Sequence, residues 1–447
     1  MHLPRFLAPI GVYLDRRVLV VLFLGFSSGL PLALTFATLT ARLAEAGIDK
    51  TSIGLFLLVG LPYSFKFFWA PLIDRLPLGP LTRILGRRRG WALLTQAALA
   101  GSLIGMAHAD PMTQTGLLAV FALLTAFCSA SQDVVIDAYR VEILDERQQG
   151  AGAATVVLGY RFGMLASGAG ALYLASFFDW RTTYLVMAAL VGIGMATVLL
   201  CREPAVPLAR AWEGEARVAA ALARRPGLRR WQAGLIGWFF GAVVAPFAQF
   251  MSRPGWLLIL AFVALYKLGD VMAGALATPF YLELGFSKIE IANVTKVMGL
   301  GAVIVGGLAG GLIVSRLGIM KSLFVCGVLQ LASNLCFAWL AQVGYDLPAL
   351  TLVITLENLS GGMGTAAFVA YLSSLCNIGY TATQYALLTS FAALARDSLA
   401  ASSGWFVETL GWPSYFVFTA GTALPGLLLL SVLALRAGEP VADPGKA

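Results

Sequence analysis

The chain is poor in charge and almost without histidine. Lys, Arg, Asp and Glu make up 12% of its 447 residues, against about 25% in a soluble domain. The two histidines, His2 and His108, stand far apart, which argues against a zinc or haem centre. The cysteines (Cys128, Cys201, Cys326, Cys336 and Cys376) show no repeated short spacing and mostly sit inside apolar runs. They read as packing residues, neither a disulfide framework nor a metal site. No glycine-rich phosphate loop follows a strand and no nucleophile–base set stands out, so an enzyme is not expected, nor a cofactor. The longest stretch between apolar runs, Cys201–Gly255, is too short for a comfortable independent domain, which weighs against a sensor. A cleavable signal peptide is not expected either, because the first apolar run, from Val18, is long and followed by others.

What the chain has is apolar length. It is 59% hydrophobic with a mean hydropathy of +0.82, the composition of an integral membrane protein. At about 20 apolar residues per span, the length admits about twelve. The expected spans are Val18–Leu43, Ser52–Leu72, Trp91–His108, Gly116–Ala138, Gly152–Phe177 and Thr183–Leu200, then Trp256–Leu282, Ile289–Val314, Lys321–Gln342, Pro348–Leu372, Thr383–Phe406 and Tyr415–Leu435. The expectation is an all-α membrane protein in two six-helix halves. Residues 1–200 form the first bundle, 201–255 a cytoplasmic linker, 256–436 the second bundle and 437–447 a cytoplasmic tail. The 48 glycines suit close helix approach in lipid.

Hydropathy alone would make 231–250 a thirteenth span. Charge argues for an interfacial helix instead. With twelve spans, Arg16, Arg17, Arg75, Arg83, Arg87, Arg88, Arg89, Arg140 and Arg147 fall on one side, joined by Arg202, Arg210, Arg224, Arg225, Arg229, Arg230, Arg316, Lys321 and Arg436. The other side holds only Arg42, Lys50, Arg181 and Lys288. Both termini are therefore expected in the cytoplasm. The net charge of +8 reflects these basic loops, and no nucleic acid partner is expected.

The halves are weakly alike. Ala70-Pro71-Leu72-Ile73-Asp74-Arg75 closes the second span and Gly311-Leu312-Ile313-Val314-Ser315-Arg316-Leu317-Gly318 the eighth. Two related six-helix halves, each with a basic loop after its second helix, resemble the major facilitator superfamily, whose members bind substrate near the midplane between their halves. Asp74, Arg75, Ser315 and Arg316 are then expected to serve gating or folding.

Ionisable groups at membrane depth cost roughly 2.5–3.5 kcal/mol each on insertion scales, and mark function by default. Asp133 and Asp137, four apart, share a face of the fourth span, with Lys66 and Arg161 at similar depth. Lys267 and Asp270 sit near the middle of the seventh span, Glu357 and Asn358 of the tenth, Arg396 and Asp397 of the eleventh. Arg161 either neutralises an aspartate or meets substrate. Lys267 and Asp270 form either a local pair or a working site. Of Arg396 and Asp397, at most one is expected to face a cavity. Phe65, Phe67, Phe68 and Trp69 read as packing and interface anchors.

A longer set of strings carries a closer resemblance. It includes Gly25-Phe26-Ser27-Ser28-Gly29-Leu30-Pro31-Leu32, Lys66-Phe67-Phe68-Trp69-Ala70-Pro71-Leu72-Ile73-Asp74-Arg75, Ser131-Gln132-Asp133 and Leu158-Gly159-Tyr160-Arg161. It continues with Leu265-Tyr266-Lys267-Leu268-Gly269-Asp270, Glu357-Asn358-Leu359-Ser360-Gly361-Gly362-Met363-Gly364-Thr365 and Ala382-Thr383-Gln384-Tyr385. In this order, to about residue 436, the chain resembles the AmpG muropeptide permeases. The resemblance implies an inner-membrane permease of Gram-negative bacteria, and a monomer is expected. Such a permease carries N-acetylglucosaminyl-anhydro-N-acetylmuramyl peptides from periplasm to cytoplasm with protons, serving cell-wall recycling and β-lactamase induction. Candidate substrate residues are Gly29, Gln132, Asp133, Arg161, Lys267, Asp270, Glu357, Asn358 and Arg396. Candidate proton carriers are Asp270, Glu357, Asp133 and Asp137, in that order. The nearest rival cargo is another polar anion such as a CoA ester, which would favour more cavity cations than this sequence has.

Overall fold

A computed structural model describes residues 10–205 and 230–438. Arg210, Arg224, Arg225, Arg229, most of the central linker and the tail from 439 lie outside the described residues. Among those described, the chain is helical with no strand. The main helices are α1 (Arg16–Thr35), α2 (Ala37–Glu45), α3 (Ala70–Arg75), α4 (Arg87–His108), α5 (Thr115–Ile143), α6 (Gln149–Leu165) and α7 (Trp180–Leu200). After the linker come α8 (Arg230–Phe239), α9 (Ala245–Met251), α10 (Trp256–Leu265), α11 (Leu268–Ala275), α12 (Gly299–Leu317), α13 (Ile319–Val343), α14 (Leu347–Ser374), α15 (Thr381–Ala400) and α16 (Trp412–Gly438).

Ten helical stretches among the described residues are long and apolar enough to cross a membrane. The expected spans Gly152–Phe177 and Thr383–Phe406 are helical but less apolar. The first carries Arg161 among glycines and passes through a π-turn at Ala166–Gly170. The second carries Gln384, Arg396 and Asp397 and is interrupted at Ala401–Ser402. The expected interfacial segment is α8, a π-turn at Phe240–Val244 and α9.

The chain divides into two compact units, Met1–Gln249 with Leu372–Ser390, and Phe250–Tyr371 with Phe391–Ala447. The first unit thus takes in the end of α14 and the start of α15. It is tightened where α1 meets α6. A Cβ on Gly29 would strike the backbone carbonyl of Tyr160, and one on Gly163 the backbone of Phe26 and Leu30. Paired small residues four apart let two helices approach to backbone contact in lipid. In the second unit the equivalent approach lies between α12 and α14, where Gly306 and Gly310 meet the backbones of Leu359 and Met363. An aromatic cluster of Phe280, Phe337, Tyr415 and Phe416 fills part of that unit's core.

Both intramembrane lysines of interest sit where the α-helix breaks. Lys66 opens a 3₁₀ turn, Lys66–Phe68, ahead of Pro71. Lys267 is the cap between α10 and α11, with φ −101° and ψ 3°. Irregular backbone at membrane depth is tolerated only when buried in protein or lining a polar space, so the breaks mark where each unit places its polar groups.

Candidate functional site

In the first unit, α5 carries the polar face. Asp133 accepts a hydrogen bond from Ser28 of α1 and lies close enough to Lys66, Tyr63 and Tyr160 to interact electrostatically. Asp137, one turn on, also feels Lys66 and pairs with Arg140 at 3.8 Å. Arg140 has no exposed surface; it donates to Ser373 Oγ at 2.9 Å and lies over the Tyr385 ring. Of the four groups expected at one depth, Asp133, Asp137 and Lys66 are thus brought together and Arg161 is not. Arg161 is exposed and makes no ion pair among the described residues, so Arg140, not Arg161, is the cation beside Asp137. The position of Arg140 in the i,i+3 register was the available sequence signal.

Gln132 is fully buried and committed to α1: its Nε2 donates to Ser27 O at 2.8 Å and its Oε1 accepts from Ser27 Oγ at 3.1 Å. Gln96 of α4 donates to the same hydroxyl. Gly29, against the backbone of Tyr160, serves helix approach. Both residues expected at substrate therefore occupy the packed interior of the unit.

The gating candidates separate sharply. Asp74 is buried and accepts from the backbone N–H and the hydroxyl of Thr383, at 2.8 and 2.7 Å, so it caps the start of α15. Arg88 bridges Asp74 at 2.7 Å and Glu142 at the end of α5, and all three side chains are 1% exposed. Arg87 joins Glu142 at 3.3 Å and donates to the Asp74 carbonyl. Sequence reasoning missed Arg88 and Glu142 as partners; an arginine triplet beside an acid at the end of an apolar span was the signal. Arg75 donates to the Gly241 carbonyl at 2.9 Å and lies over Tyr380. Ser315 and Arg316 are exposed, and the Ser315 hydroxyl donates to Leu312 O of its own helix.

In the second unit, the Lys267 ammonium meets Thr365 Oγ1 at 3.0 Å, Gly361 O at 3.2 Å and Asp270 Oδ2 at 3.5 Å. Three acceptors match its three N–H donors. Glu357 interacts electrostatically with both Asp270 and Lys267 and accepts from Asn358 Nδ2 at 2.6 Å. Tyr281 lies close enough to Glu357 to interact electrostatically. Lys267, Asp270, Glu357 and Asn358 are therefore gathered, and Thr365 and Tyr281 join them unforeseen. Arg396 and Asp397 are instead an exposed neighbour pair, Nε to Oδ1 2.9 Å, where one of the two at most was expected to face a cavity. What this group offers is one ammonium held among two carboxyls and neutral oxygens, an arrangement whose charge changes by one with each proton taken up.

The family described as Major Facilitator Superfamily matches residues 21–396. An Escherichia coli K12 protein named anhydromuropeptide permease is 41% identical over 425 residues, covering 94% of this chain and 80% of that one. A Rickettsia felis protein named as transporter AmpG 4 is 36% identical, covering 94% and 97%. Among solved structures, the Escherichia coli fucose:proton symporter superposes with a TM-score of 0.65 at 14% identity, covering 93% and 98%. The proton:xylose symporter XylE gives 0.64 at 12% identity, covering 93% and 94%. At such identities these two establish the fold alone.

Proposed function

The chain belongs to the major facilitator superfamily and, within it, to the anhydromuropeptide permease family, and from this premise we propose that it imports N-acetylglucosaminyl-anhydro-N-acetylmuramyl peptides from periplasm to cytoplasm by proton symport. On this reading it sits in the bacterial inner membrane with both termini in the cytoplasm. Its imports feed cell-wall recycling and the signal that induces β-lactamase. The observation that carries the coupling is the single ammonium of Lys267 shared among Asp270, Gly361 O and Thr365.

The coupling follows from charge. With Asp270 ionised, Lys267 is neutralised within its own unit. A proton on Asp270 leaves the ammonium without a counter-ion, and a buried unpaired charge is costly. A carboxylate of the stem peptide then restores neutrality, so proton and substrate favour each other's binding by the same free energy. Glu357, beside both groups, is the second candidate for the proton. Asp133, with Lys66 and Ser28, is the third, with Asp137 beside it. Asn358 supplies an amide for sugar hydroxyls or acetamido groups.

Gating falls to the start of α15. Asp74 holds its first turn, where N–H groups are free and a negative charge is favourable. Opening toward the cytoplasm by alternating access requires those bonds to part. The reading is tested by uptake of radiolabelled anhydro-muropeptide into proteoliposomes, with and without an inward acid gradient. Accumulation stimulated by the gradient supports it. No muropeptide uptake by well-folded protein that does take up a radiolabelled CoA ester overturns the cargo.

A further inference from the structure

α13 carries two side-chain amides that the site described above does not use. Gln330 and Asn334 are 2% and 1% exposed. All four of their polar side-chain atoms are without a hydrogen-bond partner among the described residues. Being four apart, they stack on one face of the helix. Gln330 fills the notch left by the missing side chain of Gly364, and a Cβ on Gly269 would lie 3.0 Å from Asn334 Nδ2. Gly269 adjoins Asp270, and Gly364 adjoins the Thr365 that holds Lys267. The amides therefore back directly onto the two segments that build the lysine–carboxylate group.

Hydroxyls continue the polar character. Ser360 donates to Ser333 Oγ at 3.1 Å, joining α14 to α13, and also to the Glu357 carbonyl. Thr422 Oγ1 of α16 lies 3.4 Å from the same Cβ position on Gly269. Buried amides are nearly always hydrogen-bonded, and unmatched ones in a native interior point to water, an ion or a working role. These atoms include two donors and two acceptors in neutral groups, which suits water, whose own donors and acceptors balance.

We propose that the α13 face formed by Gln330 and Asn334, with Ser333, Ser360 and Thr422, binds a cluster of buried water that relays protons to Asp270. The inference rests on Asp270 as the coupled carboxyl. The charged and titratable groups facing Asp270 are Lys267, Glu357 and Tyr266, so the relay reaches a carboxyl whose other neighbours are already committed. It lets the proton move without crossing the space the large substrate occupies.

The test uses the full chain in phospholipid proteoliposomes and radiolabelled anhydro-muropeptide. Q330M/N334L replaces both amides by apolar side chains of similar size. Counterflow, which needs no net proton movement, should stay at the parental rate. The rate of proton-driven accumulation should fall about a hundredfold, the lower end of what a positioned proton-transfer group contributes. Q330N/N334S keeps polarity and should retain coupling. If the double apolar variant folds poorly, N334L alone serves, with the same expectation. Unchanged proton-driven accumulation in the apolar variants overturns the relay. D270N is run in parallel. Loss of accumulation there, with coupling kept in Q330M/N334L, removes the relay and leaves Asp270 in place. Coupling kept in D270N removes the Asp270 reading, and the relay to it falls with it. High-resolution density within hydrogen-bonding distance of the four amide atoms supports the water site; an apolar, dry interior there overturns it.

Discussion

The two units keep polar groups inside an apolar bundle in different ways. In the first, the buried carboxylates are paired with arginines and the glutamines share a serine, while single atoms such as Gln96 Oε1 and Arg88 Nη1 find no hydrogen-bond partner among the described residues. Ser27 is shared by Gln96 and Gln132, and the buried carboxylates of Asp74 and Glu142 are balanced by Arg88 and Arg87. In the second, the buried amides of Gln330 and Asn334 have no hydrogen-bond partner among the described residues, and Arg316, counterpart to Arg75, is exposed. The second unit's bound charge is instead one ammonium shared by exchangeable acceptors. The difference suits a division of labour: a charge-locked frame holding the start of α15, and a unit whose protonation state can change without dismantling its core.

The contrast is broken most directly at Arg88. Arg88→Ala leaves Asp74 buried without a cation and Glu142 with Arg87 alone, and removing one partner of a buried pair costs about 3–5 kcal/mol. Thermal unfolding in detergent should show a large loss. Arg316→Ala should stay within about 0.5 kcal/mol of the parent, as for a surface change. Equal losses would mean that the two ends are built alike.

Helix approach gives the next effect. Gly163→Val forces a branched side chain into the backbone of α1, and Gly306→Val into that of α14. Overpacking costs about 1–3 kcal/mol, visible as a lowered unfolding midpoint in each variant. A neutral result at either glycine would show that its helices are not in backbone contact.

Thr365→Val tests the second unit's acceptors. Losing one hydrogen bond to a charged group is worth about 1.5–3 kcal/mol at most, so KM for muropeptide should change several-fold while the fold persists. Thr365→Ser should restore it. A variant of Thr365 without effect would leave Gly361 and Asp270 as sufficient partners.

The smallest effect lies outside the spans. Asp179 caps α7 through Thr182, and Asp110 accepts from the N–H groups of Thr113 and Met112. These hydrogen bonds hold both carboxyls below the usual range. Their contribution is therefore complete at neutral pH. It drains only as pH falls below about 4, the ordinary carboxylate value, through the lowered folded-state values. Asp179→Ala should lower the unfolding midpoint slightly at pH 7 and cease to differ from the parent in strong acid.

Much of this was legible in the sequence, for physical reasons that differ by residue. The cost of charge in lipid pointed at Lys267, Asp270, Glu357 and Asn358, which the structure gathers. The same reasoning pointed at Arg396, which is exposed beside Asp397; hydropathy gives depth but not which face of a helix is covered. Gln132 and Gly29 were legible as unusual and not as internal, because burial against α1 and α6 depends on a helix pairing that a linear pattern does not specify. Glu142 and Arg88 meet across 54 residues, a contact that only the folded unit creates.

The most direct measurement is proton-driven accumulation of radiolabelled muropeptide by the parent and by D270N, set beside counterflow in the same proteoliposomes. The account predicts that D270N retains counterflow and loses gradient-driven accumulation to background. Accumulation that still follows the acid gradient in D270N would contradict the assignment of coupling to the lysine–aspartate pair of the second unit.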